Sequence, residues 1–157
     1  MAQPPPAAAP SDLHGTVLYI EDDPVNVLVV EQLLAAHPGV RLLHAGTGRE
    51  GVHLARTGHP DFVLLDMHLP DIGGLEVVRQ LNEDIAVRGL RVTILTGDHL
   101  SMDIIKAMSL GAYEYWIKPL APKVFEAGLQ RALTGRRPDP ARTLHIPAPA
   151  PGRGDER

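Results

Sequence analysis

At 157 residues, 44% of them hydrophobic, the chain holds enough apolar material for one domain of about 100–150 residues and no second core. The balance of 15 basic against 19 acidic residues gives a net charge of -4 with no Lys/Arg stripe in the apolar-rich region, so direct DNA binding is not expected. Cysteine is absent, which excludes disulfides and thiolate metal centres; the apolar runs are far too short to span a bilayer, and residues 1–10 lack the charged start and apolar core of a signal peptide, so a cytoplasmic protein is expected.

Residues 1–13, rich in proline and alanine, read as a disordered, extended arm, and the folded domain is placed at 14–134. Residues 16–20 form a buried first strand that runs into Glu21-Asp22-Asp23. Asp23 followed by Pro24 marks a helix start, an N-cap with proline at the first helical position, and Val27, Val30, Leu33 and Leu34 then recur at helical spacing. His37-Pro38-Gly39 stops that helix, 40–45 is strand two, and 49–56 is a short helix with Val52, Leu54 and Ala55 inward. Phe62-Val63-Leu64-Leu65 has the character of a strand buried on both faces; Asp66 follows it, and Pro70, Gly73 and Gly74 forbid its continuation.

The next helix is expected from Leu75 to about Asn82, and strand four over 91–95, ending in Thr96-Gly97-Asp98. Helix four covers 101–110 with Gly111 as its stop, strand five covers 113–117, and Lys118-Pro119 closes that strand. A last helix from Pro122 to about Leu133 carries Val124, Phe125, Leu129 and Leu133. Residues 135–157 show no periodicity and read as a disordered tail, too short and polar for an output domain.

Alternating strands and helices with short links predict a parallel sheet covered on both faces, because each return crossover must be helical and right-handed. All strand C-termini then lie on one edge, which brings Glu21, Asp22, Asp66, Thr96 and Lys118 together. Two unit charges about 4 Å apart cost about 4 kcal/mol at an effective dielectric of about 20, so three carboxylates need positive partners. Lys118 is one; a divalent cation with oxygen ligands, Mg2+ in the first place, is the natural second. The eight histidines contain no i,i+4 pair on a helix, so no histidine metal site is expected.

These motifs resemble the receiver domain of two-component response regulators over roughly residues 16–133: Glu21-Asp22 after strand one, Asp66-Met67 with Pro70 and Gly74, Thr96-Gly97 after strand four, and Lys118-Pro119 after strand five. The resemblance implies a flavodoxin-like, doubly wound, five-stranded parallel sheet of order 2-1-3-4-5 with five helices. It implies Asp66 as phosphoacceptor from a sensor histidine kinase or a histidine phosphotransfer protein, with Mg2+ held by Glu21, Asp22, Asp66 and the backbone carbonyl of His68. Lys118 would neutralise a phosphoryl oxygen, Thr96 would donate to the phosphoryl group, and Tyr115 would be the aromatic switch, although core packing explains Tyr115 nearly as well. His68 and Asp98 stand where the family tunes the lifetime of the acyl phosphate, and a cis Lys118-Pro119 bond is implied.

The expected output is a switch in contacts with a downstream protein, or self-association, through helix four, strand five and helix five. Such a protein is not an enzyme beyond self-catalysed phosphorylation and dephosphorylation. Met1 and the two arms favour a stand-alone regulator; a receiver piece of a hybrid histidine kinase and an unphosphorylated receiver-like adaptor stay open. A haloacid dehalogenase-type phosphohydrolase wants a second Asp where His68 stands. A flavodoxin would need a phosphate loop where Glu21-Asp22-Asp23 repels phosphate.

Overall fold

Short apolar runs and amphipathic stretches alternate into five strands and five helices in the computed structural model, which describes residues 11–97 and 100–134. The elements are β1 (Gly15–Ile20), α1 (Pro24–Leu34), β2 (Val40–Ala45), α2 (Gly48–Thr57), β3 (Phe62–Asp66), α3 (Gly74–Arg88), β4 (Val92–Thr96), α4 (Met102–Ser109), β5 (Glu114–Ile117) and α5 (Pro122–Thr134). The strands are parallel throughout, in the order β2-β1-β3-β4-β5, as the resemblance implies. No described helix is long and apolar enough to cross a membrane.

Side chains alternate along each strand, so the sheet has two apolar faces. Leu18, Ile20, Val63, Leu65, Val92 and Ile94 pack with the inner sides of α2, α3 and α4. Val17, Tyr19, Phe62, Leu64, Leu95 and Trp116 pack with α1 and α5. Each fully buried side chain of this size is worth about 1.5–3 kcal/mol against exposure, so β3, buried at every position, anchors both layers. At the end of the α1/α5 layer, His37 Nε2 meets both carboxylate oxygens of Glu126 at 2.9 and 2.8 Å.

Asp23 caps α1 as its sequence signal predicts, and Thr47 and Ser101, not read as caps from sequence, cap α2 and α4. The Asp23 carboxylate accepts from the N–H of Val25 at 2.9 Å, and the Thr47 and Ser101 hydroxyls accept from Glu50 and Ile104. Three expectations need correction. Helix α3 does not close near Asn82 but runs to Arg88, because Ile85 extends the buried stripe of Leu81 by one turn and Asp84 pairs with Arg88 at 3.0 Å and with Arg56 of α2 at 3.4 Å. Its stop is Gly89, whose φ of 70 is the left-handed turn that glycine adopts without strain. Val124 is 40% exposed and lies outside the apolar face of α5, which Phe125 and Leu129 form. Leu13, on the arm side of the boundary read from sequence, is buried in the α1/α5 layer.

Candidate functional site

The alternation that builds the two faces also sorts the polar residues at the C-terminal edge. Tyr19, Leu64 and Trp116 belong to the α1/α5 layer, and Glu21, Asp66 and Lys118 each stand two residues further on. The period-2 geometry therefore sends these three groups up the same side of the sheet from three adjacent or near-adjacent strands. Asp22 leaves β1 and is exposed.

Lys118 Nζ lies 3.1 Å from Asp66 Oδ1 and 3.3 Å from Glu21 Oε1. Asp66 and Glu21 are 3% and 1% exposed, so both charges face a medium that screens poorly and both rely on that ammonium. Glu21 takes two more donors, the Tyr19 hydroxyl at 3.0 Å and the Asp23 N–H at 3.1 Å. One carboxylate oxygen from each of Glu21, Asp22 and Asp66 lies within 4.8 Å of the others. Three hard oxygen donors at that spacing suit a divalent cation of the Mg2+ or Ca2+ type, which binds through carboxylates and retained waters.

Burial and then the Glu21 charge push the Asp66 carboxyl above the ordinary Asp range; Lys118 and the His68 backbone N–H pull it back only in part. Burial alone would lower the Lys118 ammonium, but Asp66 and Glu21 outweigh it and hold Lys118 above the usual Lys value, so it stays charged. An Asp raised in the native state binds its proton more tightly there than in the unfolded chain. Stability then falls as pH rises through the window from the unfolded value to the native one, and at neutral pH the Asp66 charge is a net cost. Asp66→Asn is accordingly expected to melt above the wild type at pH 7 in chelator, with the gap shrinking as pH falls to about 4. A lower melting temperature for Asp66→Asn at pH 7 would contradict this sign.

The remaining sites sort less tightly. Thr96 ends β4 and is 1% exposed, with its carbonyl accepting from the Lys118 N–H at 2.7 Å. Tyr115 pairs with Ile94 in the β4/β5 register and packs, half-buried, on the α2/α3/α4 face, the side that Thr96 shares by alternation. His68 is exposed in the β3–α3 loop, and the Lys118-Pro119 bond is cis. Asp98 lies outside the described residues.

Three contributors escaped the sequence reading. Tyr19 had a signal, being two residues before Glu21 on a strand and hence on the same side. His44 of β2 donates from Nε2 to the Glu21 carbonyl at 2.7 Å, and Asp71 accepts from the N–H groups of Gly48 and Arg49 at 2.7 and 2.9 Å. Asp71 thereby ties the β3–α3 loop to the N-terminus of α2. Burial would raise its carboxyl, but these backbone donors prevail and hold it down at about 2. Gly74 keeps the other end of that loop tight, since a Cβ there would lie 2.8 Å from Met67 Cα.

A family model described as the response regulator receiver domain matches residues 17–130. The nitrate/nitrite response regulator NarL of Escherichia coli is 31% identical over 122 residues, 77% of this chain but only 56% of NarL, so the chain spans little more than half of that relative. Protein PilH of Pseudomonas aeruginosa is 30% identical over 119 residues, 76% of this chain and 98% of PilH. A CheY-like receiver domain from Methanospirillum hungatei shares the fold with a TM-score of 0.70 at 22% identity, covering 77% of this chain and 94% of that one. The receiver domain of a sensor histidine kinase from Pseudomonas aeruginosa, described with a magnesium ion coordinated in its active site cleft, has a TM-score of 0.68 at 27% identity and covers 78% of this chain and 99% of its own. Since the family model runs from within β1 to within α5 and takes in every strand that carries a site residue, the chain belongs to the response regulator receiver domain family.

Proposed function

We propose that the chain is a stand-alone response regulator that accepts a phosphoryl group on Asp66 from the phosphohistidine of a sensor histidine kinase or phosphotransfer protein. The observation that carries this reading is the Asp66 carboxylate itself: a buried strand-end oxygen 3.1 Å from an ammonium, with the oxygens of Glu21 and Asp22 gathered beside it. An oxygen of Asp66 attacks phosphorus, the P–N bond breaks, and the imidazole leaves with the electron pair and takes up a proton. Phosphoryl transfer of this kind depends on positioning and charge neutralisation more than on covalent help. Asp22, Asp66, the His68 carbonyl and Glu21 would hold Mg2+, which would supply part of that neutralisation when bound. Lys118 holds a phosphoryl oxygen, and the Thr96 hydroxyl donates to another.

The new charge beside Glu21 and Asp22 is tolerable only with those partners, so drawing Thr96 toward it is favourable. Tyr115, on the same face as Thr96, follows into the space left. The change reaches the surface of α4, β5 and α5, where Met102, Ile105 and Ile117 expose apolar side chains suited to a protein target or a second copy. His68 and Asp98 set how long the acyl phosphate survives. The acting compartment is the cytoplasm, with neither nucleic acid nor membrane as a direct partner; the near-complete coverage of PilH supports a single-receiver role.

Incubation with Mg2+ and acetyl phosphate, followed by intact-mass measurement, tests the reading. One phosphoryl group added to the wild type and none to Asp66→Asn is the expected result. A wild type that gains nothing would mean an adaptor that keeps the fold without the chemistry, and an Asp66→Asn that gains as much would place the acceptor at another residue and overturn the role of Asp66.

A further inference from the structure

We propose that Tyr19 is a positioning residue that sets the cation preference of the acidic pocket, by holding Glu21 so that only one carboxylate lone pair, on Oε2, is left for a metal or its water. This rests on the cation-binding role assigned above to Glu21 and adds what decides which cation enters.

The argument begins in the strand. Tyr19 is 1% exposed, its ring packed between the α1/α5 layer and the sheet, and the period of β1 aims its hydroxyl toward the side chain two residues on. A buried phenol needs a partner, and Glu21 Oε1 at 3.0 Å provides it.

Each carboxylate oxygen offers two lone pairs. Oε1 spends both, on the Tyr19 hydroxyl and on Lys118 Nζ at 3.3 Å; Oε2 spends one on the Asp23 N–H at 3.1 Å. Glu21 so held cannot chelate through both oxygens. Ca2+ takes six to eight oxygens and favours bidentate carboxylates, whereas Mg2+ demands a tight octahedron and keeps several waters. A carboxylate pinned to one lone pair therefore serves Mg2+ and penalises Ca2+. Were Tyr19 only an aromatic core residue satisfying its hydroxyl, its loss would weaken both ions alike.

Calorimetric titration of the metal-free full chain with MgCl2 and, separately, CaCl2 distinguishes the two. Tyr19→Phe removes one oxygen and keeps the ring; Mg2+ affinity is expected to fall about tenfold, within the usual range for losing an outer partner of a ligand, and the Ca2+/Mg2+ affinity ratio to rise about fivefold or more. In a Glu21→Gln background the same substitution should leave the ratio unchanged. If Tyr19→Phe does not fold, Glu21→Asp, whose carboxylate falls a methylene short of the hydroxyl, must move the ratio the same way. A wild type that binds Mg2+ with a ratio unmoved by these variants overturns the role of Tyr19 alone. A wild type that binds neither ion overturns the cation-binding reading and this inference with it.

Discussion

Truncating Lys118 to alanine is expected to slow phosphoryl uptake by Asp66 about a hundredfold or more, the usual effect of removing one preorganised charge from a site of this kind. The ammonium stands 3.1 Å from Asp66 Oδ1 and 3.3 Å from Glu21 Oε1, placed to track negative charge from the acceptor oxygen to the arriving phosphoryl group. Its elevated pKa keeps it charged across the neutral range. Without it, burial and Glu21 act on Asp66 against the His68 backbone N–H alone, and the Asp66 carboxyl rises further than it already stands. The acidic limb of the pH–rate profile should therefore move to higher pH in Lys118→Ala, because the attacking group must be ionised. Cation affinity should not fall, since the ammonium competes for the same two carboxylates. Lys118→Arg keeps the charge but spreads it over a planar fork, and it should restore the rate only in part. Acyl-phosphate kinetics at saturating Mg2+ measure all of this; a Lys118→Ala rate within about threefold of wild type would remove Lys118 from the chemistry.

The convergence of Glu21, Asp66 and Lys118 was legible because it needs only two local signals, a strand-like apolar run and the polar residue at its end, plus the rule that parallel strands end on one edge. The sheet order was not legible in that way: nothing local in 40–45 says that this strand lies outside β1, and the order came from the family resemblance. Contacts made across elements escaped for a similar reason. His44 reaches the Glu21 carbonyl only because β2 pairs with β1 in a register that sets Tyr19 opposite His44, and a single-residue slip would send the ring to the other face. Asp71 has the local character of a turn former, and its second role depends on where the α2 N-terminus lies in space. The extent of α3 escapes local reading because Asn82-Glu83-Asp84 interrupts the apolar spacing, although Ile85 resumes it. Trp116 packs in the α1/α5 layer, and the room it occupies is granted by a residue on another element, which no local pattern shows.

That residue is Gly128, and the pair carries the largest stability effect expected in the molecule. Trp116 is 7% exposed and meets Phe62 edge-on, with ring centroids 6.1 Å apart, so Trp116→Ala should cost about 3–5 kcal/mol through lost burial and the void left behind. Against a total of about 5–15 kcal/mol this is severe, and chemical denaturation should show a midpoint well below wild type. Gly128 on α5 gives the indole its room: a Cβ at that position would lie 2.5 Å from Trp116 Cη2. Two opposing terms then decide the fate of Gly128→Ala. Alanine gains about 1 kcal/mol of helix propensity over glycine in a helix interior. Forcing the indole aside in a packed layer costs about 1–3 kcal/mol. The clash should win in the wild-type background, making Gly128→Ala destabilising, whereas in Trp116→Ala the obstruction is gone and the same substitution should stabilise. The sign reversal is the measurement, because propensity alone predicts stabilisation in both backgrounds. Gly128→Ala stabilising the wild type would show that the indole moves freely, and that Trp116 does not lock α5 onto the strand that delivers Lys118 to the site.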